Sequence, residues 1–300
     1  MEEDRWHQVV QQLLRGPNES KSALGQMSEV RIIRGYENGS LGHVWSSLAP
    51  LVKTEQQSSD RRLRSRNPPV HPPSSGGQPS HTPSSARQPS STPSSGRQPS
   101  SIGYVEADVA PLLEDMTVRF ASNFIRCVLN YAQEPETALP IHYRDERMEH
   151  KGEGPNWCAI DDGGVQVASA NEEDVLQVAI VEAKRTFQAI HNGRPTVSDG
   201  LLGQIVGEAL ALKTTNGSIF GDEVFLIVAI KHYFKFFHFD ISQQFLANFK
   251  SMDPATSASP NSYLHVKSTE WLDATDQEDR QNIICHILGL MAEAKGAQAL

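Results

Sequence analysis

The stretch Val175-Leu176-Gln177-Val178-Ala179-Ile180-Val181-Glu182-Ala183-Lys184 sets the fold. Its run of Val, Leu, Ala and Ile is too apolar for a solvated edge and reads as a buried strand over Val175–Ala183. Side chains alternate along a strand with period two, so Val178, Ile180, Glu182 and Lys184 are expected on one face. A Glu and a Lys then emerge side by side at the end of a buried strand, where an unpaired charge is costly. Such a pair is either an ordinary salt bridge at a strand end or part of a site.

Reading outward, the apolar residues fall into a helix, strands, a helix, strands and two helices. Leu112, Leu113, Met116, Phe120, Phe124, Val128 and Tyr131 mark one face of a helix within 109–131, bounded by Pro111 and Pro135. Ile141-His142-Tyr143 reads as a short strand and Trp157–Ile160 as another, closed by Asp161-Asp162-Gly163-Gly164 as a hairpin turn. Ser198 and Asp199 open a helix to about Lys213, with Leu202, Ile205, Val206 and Ala209 inward. On that helix Gly203 and Gly207 are expected to allow a close approach to the sheet. Val224–Ile230 reads as a central strand, with Phe234–Ile241 returning as its hairpin partner across Lys231-His232-Tyr233. Helices over 242–249 and 277–294 follow.

Residues 58–101 are Ser, Pro, Gly, Gln and Arg with almost nothing to bury, a disordered linker by composition. Within it Gln78–Arg87 recurs almost unchanged as Gln88–Arg97, a ten-residue polar repeat with no apolar face to stack. Arg61, Arg62, Arg64 and Arg66 at its start suit a nuclear-import signal or a phosphate-binding tether, or simply a solvated flank. Before the linker, residues 1–57 read as a short helical arm, in which Trp6, Val9, Val10, Leu13 and Leu14 recur at helical spacing and Gly16-Pro17 ends the pattern. An arm of that size is expected to dock on the remainder, residues 102–300, or on a partner.

The net charge of −9 is uneven. Residues 1–100 carry 12 Lys and Arg against 8 Asp and Glu, and residues 101–300 carry 15 against 28, so the two parts stand at +4 and −13. A domain at −13 repels phosphate backbones unless its cations are gathered at one place, which argues against a protein that coats nucleic acid. The three cysteines, Cys127, Cys158 and Cys285, are widely spaced and suggest neither disulfides nor a zinc site. The sequence begins Met1-Glu2-Glu3-Asp4 without an apolar leader, and its longest apolar run, Val224–Ile230, falls short of the ~18 residues of a membrane span. An intracellular place, cytoplasmic or nuclear and away from the membrane, is expected.

Pro155-Asn156 stands 26 residues before Glu182. Taken with Glu182-Ala183-Lys184, the preceding helix and the helix and strands that follow, this order and spacing resembles the PD-(D/E)xK nuclease-like superfamily from about residue 106 to 241. Ile180-Val181-Glu182-Ala183-Lys184-Arg185 with the Phe-rich hairpin also looks like a group of uncharacterised fungal proteins of that fold. The resemblance implies an α/β, restriction-endonuclease-like mixed central sheet flanked by helices, here preceded by the linker and the N-terminal arm. It further implies Glu182 as metal ligand, Lys184 as the group that orients water or supplies positive charge, and Gln204, with Glu208 one turn on, beside the site.

Two carboxylates at a shared point make a hard-oxygen site for Mg²⁺, which stabilises charge on a phosphodiester. Position 156 departs from the family pattern, because Asn offers a cation one neutral oxygen. Asp161 or Asp162 would have to supply the missing charge, although five residues of strand span about 16 Å. Glu114 on the first helix is a further carboxylate, or part of a solvated face. His232 and His238 lack a third ligand at suitable spacing and read as packing residues. Phe234, Phe236, Phe237 and Phe239 suit a half-buried hairpin, or bases stacked in a groove. The expectation from Asn156 and the charge is a degenerate nuclease-like domain serving as a protein-interaction or nucleic-acid-sensing module. The alternative is an active Mg²⁺-dependent phosphodiesterase that cleaves DNA or RNA.

Overall fold

Strand β5, Val175–Lys184, lies at the centre of the sheet that its composition demands. The computed structural model describes residues 2–36, 39–66, 112–133, 140–151, 158–168, 175–192, 194–215, 217–250 and 264–298. Asn156 and residues 67–101 of the expected linker, with its repeats, lie outside them. Numbering all elements in chain order, β5 follows helices α1 (Glu2–Arg15), α2 (Lys21–Leu24), α3 (Glu29–Arg34), α4 (Gly39–Arg66) and α5 (Leu112–Tyr131) and strands β1 (Ile141–Arg144), β2 (Glu149–Lys151), β3 (Cys158–Ile160) and β4 (Gly163–Ala168). After it come β6 (Ala189–His191), β7 (Arg194–Thr196), α6 (Asp199–Thr214), β8 (Glu223–Ile230), β9 (Tyr233–Asp240), α7 (Gln243–Lys250), β10 (His265–Ser268), β11 (Leu272–Asp273) and α8 (Gln277–Gln298).

The main sheet has seven strands in the order β1-β4-β5-β8-β9-β10, with β11 also on β9. Among the described strands only β5 and β8 pair in parallel, with Glu182 beside Val228 and Lys184 beside Ile230. Parallel neighbours need a crossover, and α6 supplies it. Its N-cap is Ser198, whose hydroxyl accepts from the Leu201 N–H at 3.2 Å. The expected inward set of α6 is corrected by one residue: Leu201, Ile205, Ala209 and Leu212 are buried, whereas Leu202 is exposed. Gly203 is not a contact glycine, since a Cβ there would meet nothing within 4 Å.

A bulge sets which face carries the site. Along β4 and β5 the pairing runs Val165↔Ala179 and then Gln166↔Gln177, so Val178 has no partner of its own. Val178 therefore packs with Ala179 and Val181 in one core, while Ile180 packs in the other with α6. The expected face shared by Val178, Ile180, Glu182 and Lys184 thus loses Val178, because the extra residue interrupts the alternation.

One core lies between the sheet and α1–α5 and α8. Val9, Leu13, Leu24, Trp45, Leu48 and Leu51 join Phe120 and Phe124 of α5, Phe234 of β9 and Ile283 and Ile287 of α8 in a single cluster. Burial of each such side chain contributes about 1.5–3 kcal/mol; the N-terminal arm packs on the remainder of the chain, and it does so with four helices, α1–α4. Helix α4 also continues through 58–66, where the linker was expected to begin. Extending a formed helix gains a hydrogen bond per residue without a new nucleus. The second core holds α6, α7, β8 and the other face of β9.

The Phe-rich strand β9 is buried on both faces, Phe234 and Phe236 in the first core and Phe237 and Phe239 in the second, so none forms an exposed stacking platform. Among the described residues no helix is long and apolar enough to cross a membrane.

Candidate functional site

The C-terminal end of β5 brings charge into the interior. Glu182 is buried, and its Oε1 pairs with the Lys184 ammonium and accepts from Gln204 Nε2 at 2.8 Å. The same Gln204 nitrogen reaches Glu208 Oε1, 3.0 Å away and one helical turn further along α6. Glu208 is wholly buried, and Oε2 of both glutamates is buried without a hydrogen-bond partner.

A second carboxylate reaches this end of the sheet from the residue before β4. Asp162 donates its backbone N–H to Val181 O at 3.0 Å, and its Oδ2 accepts the Ala183 N–H at 3.0 Å. Since Gly163 pairs with Val181, Asp162 stands opposite Glu182. Its Oδ1 lies 2.8 Å from the Arg147 guanidinium. The expected hairpin turn at Asp161–Gly164 is corrected, because Gly163 and Gly164 are the first residues of a strand held between β1 and β5. Gly163 has φ 153°, and a Cβ there would lie 2.5 Å from Tyr143 Oη. At Gly164 a Cβ would lie 2.8 Å from Gln177 Oε1, so close strand packing, not a turn, requires both glycines.

These charges shift one another. Burial, then the negative charge of Asp162, pushes the Glu182 carboxyl above the ordinary carboxylate range. Glu208 is pushed up by burial and then by the charge of Glu182. Burial acts against the charge on Lys184, but its bond to Glu182 and the charges of Glu182, Asp162 and Glu114 outweigh that and raise its pKa. Lys184 is therefore an ammonium at neutral pH, and Glu114 of α5 acts on it through its charge.

Asp161 is held elsewhere. Its wholly buried carboxylate meets Arg144 Nη2 at 2.6 Å and His150 Nε2 at 2.8 Å, and it accepts the Met148 N–H at 3.0 Å. The strand Cys158–Ile160 leads away from the main sheet too, pairing with β2 instead of turning back onto β5. His232 lies between Glu55 and Asp273, and His238 stacks on Phe225 with ring centroids 4.6 Å apart.

No family model, curated protein or solved structure matches the chain.

The residues can be tested for fit to the Mg²⁺ that the resemblance implies. Among the described residues no group of three or more His, Cys, Asp and Glu side chains could hold a metal. A cage built from protein alone is therefore not formed. Mg²⁺ commonly binds through one or two carboxylates and completes its shell with waters and phosphate oxygens. Asp162 and Glu182 supply such a pair, and Glu182 Oε2 is a buried acceptor with no other partner. The donor set fits that mode. Of the residues expected at the site, Glu182, Lys184 and Gln204 are brought together, Asp161 is not, and Asn156 lies outside the described residues. Of the two acids expected as substitutes for the missing charge, the strand register places Asp162, 20 positions before Glu182, at the site.

Proposed function

We propose that the chain is a metal-dependent phosphodiesterase of the PD-(D/E)xK nuclease-like type acting on DNA or RNA, with Asp162, Glu182 and Lys184 as its acting residues. The observation that carries this reading is the bond from the Ala183 N–H to Asp162 Oδ2, which holds a second carboxylate beside Glu182. Bound Mg²⁺ supplies Lewis-acid stabilisation of charge on the phosphodiester. Asp162 and Glu182 would hold the cation, and Gln204 fixes the Glu182 carboxylate by its 2.8 Å bond. Lys184, kept protonated by its neighbours, supplies positive charge and donors to the scissile phosphate and the attacking water rather than taking a proton from it. The wholly buried Glu208, its pKa raised, shares Gln204 with Glu182.

A domain without turnover that senses nucleic acid or binds a protein is the second reading, favoured by the charge of −13 over residues 101–300. Cleavage of labelled single- and double-stranded DNA and RNA with Mg²⁺ or Mn²⁺ separates the two. The phosphodiesterase reading expects metal-dependent cleavage that falls by at least ~100-fold in Lys184→Ala and Glu182→Gln. Metal binding with no cleavage of any substrate would leave only the second reading.

A further inference from the structure

A cleft of about 500 Å³ opens from Asp162 along α5. Asp115, Arg119, Ser122 and Arg126 line it at four-, three- and four-residue steps, one stripe of the helix, and Arg147 closes the end at Asp162. The arginines around this cleft fall into two kinds. Arg144 is buried against Asp161 and fixed. Arg119, Arg126 and Arg147 keep 51%, 39% and 58% of their side chains exposed while paired with Glu29, Asp145 and Asp162. Exposed ion pairs contribute only about 0–1 kcal/mol, so these guanidiniums can exchange partners at little cost.

The geometry points to Arg119, Arg126 and Arg147 as a row that exchanges these carboxylates for the phosphodiester backbone of a nucleic acid and delivers one phosphate to Asp162, Glu182 and Lys184. Three features favour a backbone as the occupant. Against a domain at −13 this cleft is locally balanced, its three arginines matching Asp115, Asp145 and Asp162, so it repels a polyanion less than its surroundings do. Arg119 and Arg126 are seven residues apart on one helix, about 10.5 Å, which matches the rise along the duplex axis of roughly three nucleotides of one strand at ~3.4 Å each. Arg126 is already oriented, with its guanidinium 5.4 Å from the centre of the Tyr143 ring and a buried Nε that has no partner.

This assignment rests on the phosphodiesterase reading, and its test separates the two. Anisotropy of fluorescein-labelled DNA and RNA oligonucleotides with the full chain, in Ca²⁺ between about 50 and 200 mM salt, reads binding without cleavage. Arg119→Gln, Arg126→Gln and Arg147→Gln should each weaken binding about three- to tenfold and lower the salt slope by roughly 1, with Arg126→Lys retaining the slope and Arg31→Gln, outside the cleft, unchanged. Unchanged binding in the three glutamine variants, or equal loss in Arg31→Gln, overturns the row even where the wild type cleaves. Weakened binding in these variants beside undiminished cleavage by Lys184→Ala supports the row and overturns the catalytic reading. No binding of any oligonucleotide at low salt overturns both.

Discussion

The Asp162 carboxylate accepts the backbone N–H of Ala183 at 3.0 Å, so an acid from the start of one strand is fastened between the Glu and the Lys of the next. Strand pairing fixes this relationship, since Gly163↔Val181 leaves Asp162 opposite Glu182. Two adjacent acids thereby take different tasks. Asp161 is paired within the fold with Arg144 and lies 2.8 Å from His150 Nε2, and Asp162 faces the ionisable groups at the end of β5.

Substituting the two should give opposite outcomes. Asp161→Asn leaves the buried Arg144 without its carboxylate and should cost about 3–5 kcal/mol. Asp162→Asn keeps an acceptor for the Ala183 N–H and removes repulsion with Glu182, so its stability should change by less than about 1 kcal/mol. Mn²⁺ affinity should fall only in Asp162→Asn. Denaturant titration and Mn²⁺ calorimetry on both variants check this, and equal destabilisation by the two would count against it.

Glu208 should make the protein less stable as pH rises. Its folded pKa is raised, so its contribution is complete below the unfolded value of ~4.3 and is lost as pH climbs toward the raised folded value. Glu208→Gln is neutral throughout and should be more stable than wild type near pH 8 by about 1–2 kcal/mol, with a flatter profile between about pH 5 and 8. Chemical denaturation across that range reads it. A variant less stable at every pH would show that the carboxyl is satisfied.

The His232 ring joins two layers, with Nε2 2.9 Å from Glu55 of α4 and Nδ1 2.8 Å from Asp273 of β11. Burial opposes its charge, but the bonds to Asp273 and Glu55 outweigh it and raise the pKa. The histidine's contribution is full below ~6.5 and is lost as pH rises through the folded value. Asp273, lowered to about 2 despite its burial, and Glu55, also lowered, contribute above the ordinary carboxylate range and lose it as pH falls through their folded values. The network is therefore strongest from roughly pH 4.3 to 6.5. His232→Gln should cost about 2 kcal/mol near pH 5.5, below the ~3–5 of a fully buried pair because both carboxylates are partly exposed, and should cost less near pH 8.5. Urea midpoints at the two pH values measure the difference; an equal loss at both would mean that the ring acts by packing alone.

Much of the architecture is readable from hydrophobic patterning. Strands β5 and β8, the β8–β9 hairpin and helices α5 and α6 follow from runs and periods that burial imposes locally. The departures come from tertiary contacts. Asp161-Asp162-Gly163-Gly164 has turn composition, yet its glycines answer to Tyr143 and Gln177 packed from the neighbouring strands. Val178 leaves its expected face because a bulge is set by pairing with β4, which no period within β5 encodes. Glu182, Lys184 and Gln204 could be read as a group, since strand and helix periods place them. Asp162 could be named only beside Asp161, because the choice between the two depends on register between two strands. The N-terminal helices likewise bury their apolar faces against α5, a partner far along the chain.

The most direct test of the account is Mn²⁺-dependent cleavage by the wild type, Asp162→Asn and Asn156→Asp, measured side by side on the same labelled substrates. If Asp162 is the site's second carboxylate, the wild type cleaves, Asp162→Asn loses cleavage, and Asn156→Asp cleaves as the wild type does. Cleavage that appears only in Asn156→Asp and survives in a protein also carrying Asp162→Asn would contradict it and return the site to position 156.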